Sequence, residues 1–310
     1  MINRYVMLIR RELWEHRALV IAPVTIAGLI LLAITIFLLT SSVIRGIGFD
    51  RIVAGISATS DVGSATGFGV LVLAPVAFLN IALVFTVFFY CLDALFAERK
   101  DRSILFWRSL PITDTETVLS KLAVAAIVAP LITFAVLVVT QLGVLILSSI
   151  FVMLGDGSAW ELIWKPVPLL QTWTLSLYGL VGGGLWALPF VAWFLFCSAY
   201  VKKSPFLWAV LPFALVPMLE RLAFGTSYFI RIVWGHMADF YAIAFQVDHD
   251  ALHGFSENGM PGAGYEFNPA SIIDPASFLV SPKLWLGTLV AAGIAAATIY
   301  VRRYRPDVEA

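Results

Sequence analysis

The feature that most constrains this chain is a series of long apolar runs that hold no charge. Five stand out: Leu19–Leu39, Val70–Leu92, Leu122–Leu147, Leu177–Val201 and Leu284–Val301. A helix rising about 1.5 Å per residue needs about 20 such residues to cross a hydrocarbon layer of roughly 30 Å. A sixth run, Phe206–Phe224, is shorter, contains Pro212 and Pro217, and carries Glu220 and Arg221 near its end. An isolated strand would leave its backbone groups unpaired in lipid, so all six are expected as helices. Composition agrees, at 60 % hydrophobic and 13 % charged residues, against roughly 45–50 % and 25 % in soluble proteins. A soluble chain has no polar surface to cover that excess. Disorder, a nucleic-acid-coating surface and a disulfide-stapled scaffold fit these numbers poorly.

The polar segments between the runs set an orientation. With the N-terminus in the cytoplasm, the inner segments hold Arg4, Arg10, Arg11 and Arg17, then Arg99, Lys100, Arg102, Arg108 and Lys121, then Lys202, Lys203, Arg302, Arg303 and Arg305. These are fourteen of the 20 basic residues, so the formal net charge of zero hides a positive inside and a negative outside. Both termini are therefore expected in the cytoplasm. Tyr228–Gln246 competes for a seventh span, but it contains Arg231, His236 and Asp239, and spanning would place Arg302 and Arg303 outside. It reads instead as an outer amphipathic or re-entrant helix between spans five and six, with Ile230, Val233, Met237, Phe240 and Ala244 on one stripe. Residues 1–17 read as an interfacial amphipathic helix, Ile2, Val6, Ile9 and Leu13 apolar, with Arg4, Arg10, Arg11 and Glu15 in water. The following run is too long for the core of a cleavable signal. The expectation is an all-α integral membrane protein, one unit over 1–310 with six spans, a cytoplasmic loop over 93–121 and an outer loop over 225–283.

A membrane enzyme needs converging reactive side chains, and none of the familiar sets occurs. There is no H-E-x-x-H, no G-x-S-x-G and no G-x-x-x-x-G-K-[ST], so any ATP has to be bound by another polypeptide. His249 and His253, beside Asp248 and Asp250 in the outer loop, are weak metal candidates that lack a fourth fixed ligand. Cys91 and Cys197 lie in apolar runs near the inner ends of their spans, where they read as small hydrophobes. Among ionisable residues in the spans, Glu220 and Arg221 are candidates for a gate or pathway, with headgroup anchoring as the simpler alternative. The Gly179/Gly183 spacing in the fourth run allows another helix to pack closely.

The most informative loop is 93–121. Charges cluster from Asp93 to Arg102, a dense apolar group follows through Trp107 and Leu110, and Pro111 then breaks the chain. Thr113-Asp114-Thr115-Glu116 is a capping box that opens a helix running through Lys121 into the third span. A mere connector could be much shorter. This loop has the build of an amphipathic element offered to a partner's groove.

Glu98-Arg99, followed by Ser109-Leu110-Pro111-Ile112 and then Leu119-Ser120-Lys121, resembles the corresponding loop of ABC-2 type transporter permeases. The layout of amphipathic N-terminal helix, six spans and outer helices between the last two is similar as well. The chain departs from many members in one respect: they carry a glycine shortly after the Glu-Arg pair, where this sequence reads Lys100-Asp101-Arg102-Ser103. The resemblance implies a permease subunit of an exporter, in a bacterial cytoplasmic (inner) membrane, forming the pathway as a homo- or heterodimer. Two copies of a separate ABC ATPase would bind ATP and Mg, and this chain would hold no cofactor and perform no catalysis. Glu98, Arg99 and Arg102 would make polar contacts to that ATPase, and Trp107, Leu110 and Pro111 would supply shape. The alternative is a non-transporting membrane scaffold or assembly factor that recruits a cytoplasmic partner through the same loop.

Overall fold

The computed structural model describes residues 2–40, 65–103, 111–154, 158–165, 167, 169–245 and 273–304. Among these residues the chain is helical and contains no strand. Trp107, Leu110, His249 and His253 lie outside the described residues.

Helix α1 (Ile2–Glu15) turns at His16 and Arg17 into α2 (Ala18–Leu39), the first of the long apolar helices. Helix α3 (Ala65–Ala94) is followed after Leu95 by the short α4 (Phe96–Lys100). Helix α5 (Asp114–Ala123) continues through a π-helical turn, Val124–Val128, into α6 (Ala129–Leu154). Together they form a single 41-residue helix. The capping box expected from sequence starts it: the Glu116 N–H donates to Thr113 Oγ1 at 3.2 Å and the Thr113 N–H to Glu116 Oε2 at 2.8 Å.

The run expected as one fourth span is two helices, α7 (Leu169–Trp186) and α8 (Leu188–Tyr200), bent by 52°. Pro189 has no N–H to give the preceding turn, and Gly182, Gly183 and Gly184 stiffen the helix least of any residues. Helix α9 (Pro205–Phe224) starts with proline at its first position and stops at Gly225, whose φ of 65° lets its N–H cap Arg221 O. Helix α10 (Tyr228–Ala244) covers the stretch Tyr228–Gln246 to within two residues. Helices α11 (Pro275–Val280) and α12 (Pro282–Tyr304) complete the order.

Among the described residues, five helices are long and apolar enough to cross a membrane, or six when the bent pair counts as one span. The 23 residues of α12 alone reach about 34 Å. The most extensive pairings are α8 with α12 and α2 with α6, with α3 packed on α2, α6 and α8. Near the end where α1 lies, Leu19, Cys91, Leu95, Val124 and Leu195 form one core; at the opposite end Trp186, Phe240, Phe278 and Leu284 form another. Helix α9 is the outlier, its span only 6 % buried against 44 % for the α5–α6 helix, so nearly all its surface needs an apolar surrounding.

Two expected faces are redrawn. On α1, the inward residues are Leu8, Arg11 and Glu12, while Val6 and Met7 are exposed beside Trp14. Arg11, expected in water, is turned inward because a carboxylate from another helix meets it there. On α10, Phe240 and Ala244 are buried, whereas Ile230 and Met237 are about half exposed.

Candidate functional site

The unusual feature of this apolar bundle is a cluster of enclosed charges where α1, α4, α5 and α12 converge. Lys121, on the third turn of α5, is fully enclosed, at 0 % exposure. Its Nζ lies 2.8 and 2.9 Å from the two oxygens of Glu12 and 3.1 Å from Glu98 Oε1. Glu98 is itself 4 % exposed and receives two further cations: Arg302 Nη1 at 2.6 Å on Oε2 and Arg11 Nη2 at 3.2 Å on Oε1. Arg302 uses Nε to reach Asp114 Oδ1 at 2.8 Å. The Tyr90 hydroxyl donates to Glu12 Oε2 at 3.0 Å from α3. Arg11 also pairs with Glu15 at 2.8 Å.

Charge balance explains why such a cluster survives out of water. Three cations, Arg11, Lys121 and Arg302, face the carboxylates of Glu12, Glu98 and Asp114, with Glu15 on the exposed side of Arg11, and the bonds to Lys121 satisfy both oxygens of Glu12. Burying one of these ions alone costs several kcal/mol, so each holds the others in place, and removing one partner costs about 3–5 kcal/mol. The gain lies less in stability than in geometry, because the set is satisfied only when four helices stand in one register.

His16 closes the rim of the cluster. Its ring meets Tyr90 edge-on at 4.9 Å, with Nε2 4.0 Å from Glu12 and Nδ1 3.8 Å from Asp93. Burial, aided by Lys121 and opposed by the carboxylates of Glu12, Asp93 and Glu15, holds the imidazole below its ordinary pKa. Glu12, Glu15 and His16 bring their ligand atoms within 4.8 Å of one another, a spacing that could hold a metal ion. The Lys121 ammonium already bridges both Glu12 oxygens, so it stands where such a cation would bind.

Arg99 has a different task. Its Nη2 donates to Ser198 O at 2.6 Å and Val201 O at 2.7 Å, capping the last carbonyls of α8. Ser198 Oγ in return accepts from the N–H groups of Leu95 and Phe96, at 3.0 and 2.9 Å, across the break between α3 and α4. Glu98 and Arg99, expected as surface contacts, are thus engaged within the chain. Lys100, Asp101 and Arg102 are exposed at the end of α4, and Pro111 is exposed at the next described position. Arg102 has a φ of 56°, in the left-handed region that glycine favours. A cleft of about 500 Å3 opens beside Arg302, between the start of α5 (Thr113, Asp114, Thr117) and Ile299 and Arg303 of α12.

The other sequence candidates fall at the opposite end. Glu220 Oε1 accepts from Thr226 Oγ1 at 2.7 Å and the Tyr228 N–H at 2.5 Å, and Oε2 from the Phe229 N–H at 2.9 Å. It therefore caps the N-terminus of α10 from the preceding helix. Arg221 is exposed on the last turn of α9. Gly179 and Gly183 receive the rings of Phe245 and Phe240; the close backbone approach occurs instead at Gly184, against Ala126 O.

Sequence reasoning missed Glu12, Tyr90, Asp114 and Arg302 as members of one site. Glu12 lies one helical turn from Leu8 on the buried face, a signal that becomes readable only once that face is known. The chain matches no family model, no curated protein and no solved structure.

Proposed function

We infer that this chain is the permease subunit of an ATP-binding cassette exporter of the ABC-2 type. The observation that supports it best is Glu98. It stands at the base of the 93–121 loop and is bonded at once to α1, α5 and α12. A partner that pushed on this loop would therefore displace the entry helix, the third span and the final span together. That is the requirement for driving a membrane bundle from outside it: coupling through a shared rigid junction, with no chemistry in the bundle itself.

In this reading two such subunits, alike or related, form the pathway through a bacterial inner membrane. Six spans place both termini in the cytoplasm, and two ATPase subunits bind ATP and Mg against the loop. Contact with the ATPase falls to the exposed Lys100, Asp101, Arg102 and Pro111, with Glu98 and Arg99 as positioning residues behind them.

The test is co-purification from the native membrane with measurement of ATP turnover. A stoichiometric ATPase is expected, and Asp101→Lys/Arg102→Glu should abolish its stimulation while the melting temperature of the permease stays unchanged. Glu98→Gln should instead lower the melting temperature. Recovery of a partner without nucleotide-binding motifs would replace the transporter by a scaffold.

A further inference from the structure

The far end of the bundle holds a second irregular junction, independent of the charged cluster. At the break between α7 and α8, the Phe190 N–H bonds to Ala187 O, and Pro189 has no N–H to offer. The carbonyl of Trp186 is served from outside the helix, by His236 Nε2 at 3.1 Å. A carbonyl can only accept, so this nitrogen carries the proton. The bond is returned: Trp186 Nε1 donates to His236 O at 2.6 Å, and the two rings stack at 4.7 Å with 17° between their planes.

Glycines make the junction possible on three sides. A side chain at Gly287 of α12 would begin 3.1 Å from His236 Cε1, so the absence of a Cβ admits the imidazole. Gly183 seats Phe240 and Gly179 seats Phe245, so α10 lies along α7 with its rings in the positions side chains would fill. A Cβ at Gly184 would collide with Ala126 O, in the π-helical turn of the third apolar helix. Two departures from regular helix, the π-turn and the break, thus touch each other. That π-turn begins three residues after Lys121 in the same continuous helix.

We propose that the break at Ala187 is a hinge and that α10 is its latch, staying with the α8–α12 pair and holding α7 in the present setting through the reciprocal Trp186–His236 bonds. The His236 ring sits against Gly287 of α12 and 6.0 Å from Phe190 of α8, and α8 with α12 is the most extensive helix contact in the bundle. Interfaces of this kind hold two discrete settings more readily than a continuum, because side chains interlock in one arrangement or another. The Asp239–Lys283 pair, at 2.6 Å and exposed, ties the far side of α10 to the start of α12 and keeps α10 with that body when α7 swings.

Spin labels on the full chain in lipid nanodiscs read the hinge directly. Cys91 and Cys197 are replaced by Ala, and labels are placed at Leu170→Cys on α7 and Leu286→Cys on α12, both exposed positions. The parent is expected to show one narrow distance distribution. His236→Phe keeps a stacking ring but loses the Nε2–H donor, and should add a second population. His236→Gln keeps a donor and should remain close to the parent. A control pair, Tyr200→Cys and Tyr300→Cys, reports the α8–α12 body and should not change in any variant. An unchanged 170–286 distribution in His236→Phe overturns the hinge, as does equal broadening in both variants or in the control pair. No ATPase or cargo enters this measurement, so it succeeds or fails separately from the transporter assignment.

Discussion

Lys121 illustrates what a charged residue must find to live inside an apolar bundle. Three carboxylate oxygens lie within 3.1 Å of its nitrogen, and two of them belong to a helix more than a hundred positions earlier. Arg102, a few residues from Glu98, shows the reverse situation, a charged residue placed in a backbone conformation better suited to none. A non-glycine residue in the left-handed region loses roughly 1–2 kcal/mol to the clash between Cβ and carbonyl, part of which glycine returns through its freer unfolded chain. Arg102→Gly should therefore raise stability by up to about 1 kcal/mol, read as a higher midpoint in thermal unfolding of the detergent-solubilised chain. His16 supplies a pH dependence with a definite sign. Its folded pKa lies below the unfolded value, so the unfolded state binds the proton first and stability is lost as pH falls through about 6.5. Melting temperatures between about pH 7.5 and 5.5 should decline in the parent, and His16→Asn should flatten that part of the curve.

Among the elements, α10 depends most on support from outside itself. It has no side-chain cap from its own N-cap residue, Ser227, and its first two N–H groups, on Tyr228 and Phe229, donate instead to Glu220 on the helix before, which also accepts from Thr226 Oγ1. Glu220→Ala should speed hydrogen exchange at the first turn of α10, at Tyr228 and Phe229 above all, while leaving α12 unaffected. An unchanged exchange rate there would show that Glu220 has no capping role. The π-turn at Val124–Val128 is a second element set by its neighbour, since Ala126 O approaches α7 at the one glycine, Gly184, that leaves room for it.

At the scale of the whole molecule, the apolar runs were legible because lipid-length hydrophobicity is a local property. The helices found at those places follow the runs closely, and the capping box at Thr113 was readable for the same reason: its partners are three residues apart. The charged cluster was not readable. Glu12, Glu98, Lys121 and Arg302 look individually like residues for water, and only the convergence of four helices makes them a single object. The break at Ala187 stayed hidden because Leu177–Val201 is uniformly apolar, and a proline in such a run is compatible with a straight helix as well as a bent one. Gly179 and Gly183 take the rings of Phe245 and Phe240 where their spacing suggested a helix backbone, because spacing alone does not tell a ring from a backbone.

The bond between Glu98 and Arg302 joins residues 204 positions apart. A ribosome therefore delivers the carboxylate long before its guanidinium partner, and an assembling chain has to shelter Glu98 and Lys121 against α1 until α12 arrives. Completion of the bundle is thus written into its electrostatics: a chain interrupted before Arg302 leaves Glu98 with one fewer counter-charge, and the junction of α1, α4 and α5 closes only when α12 is in place.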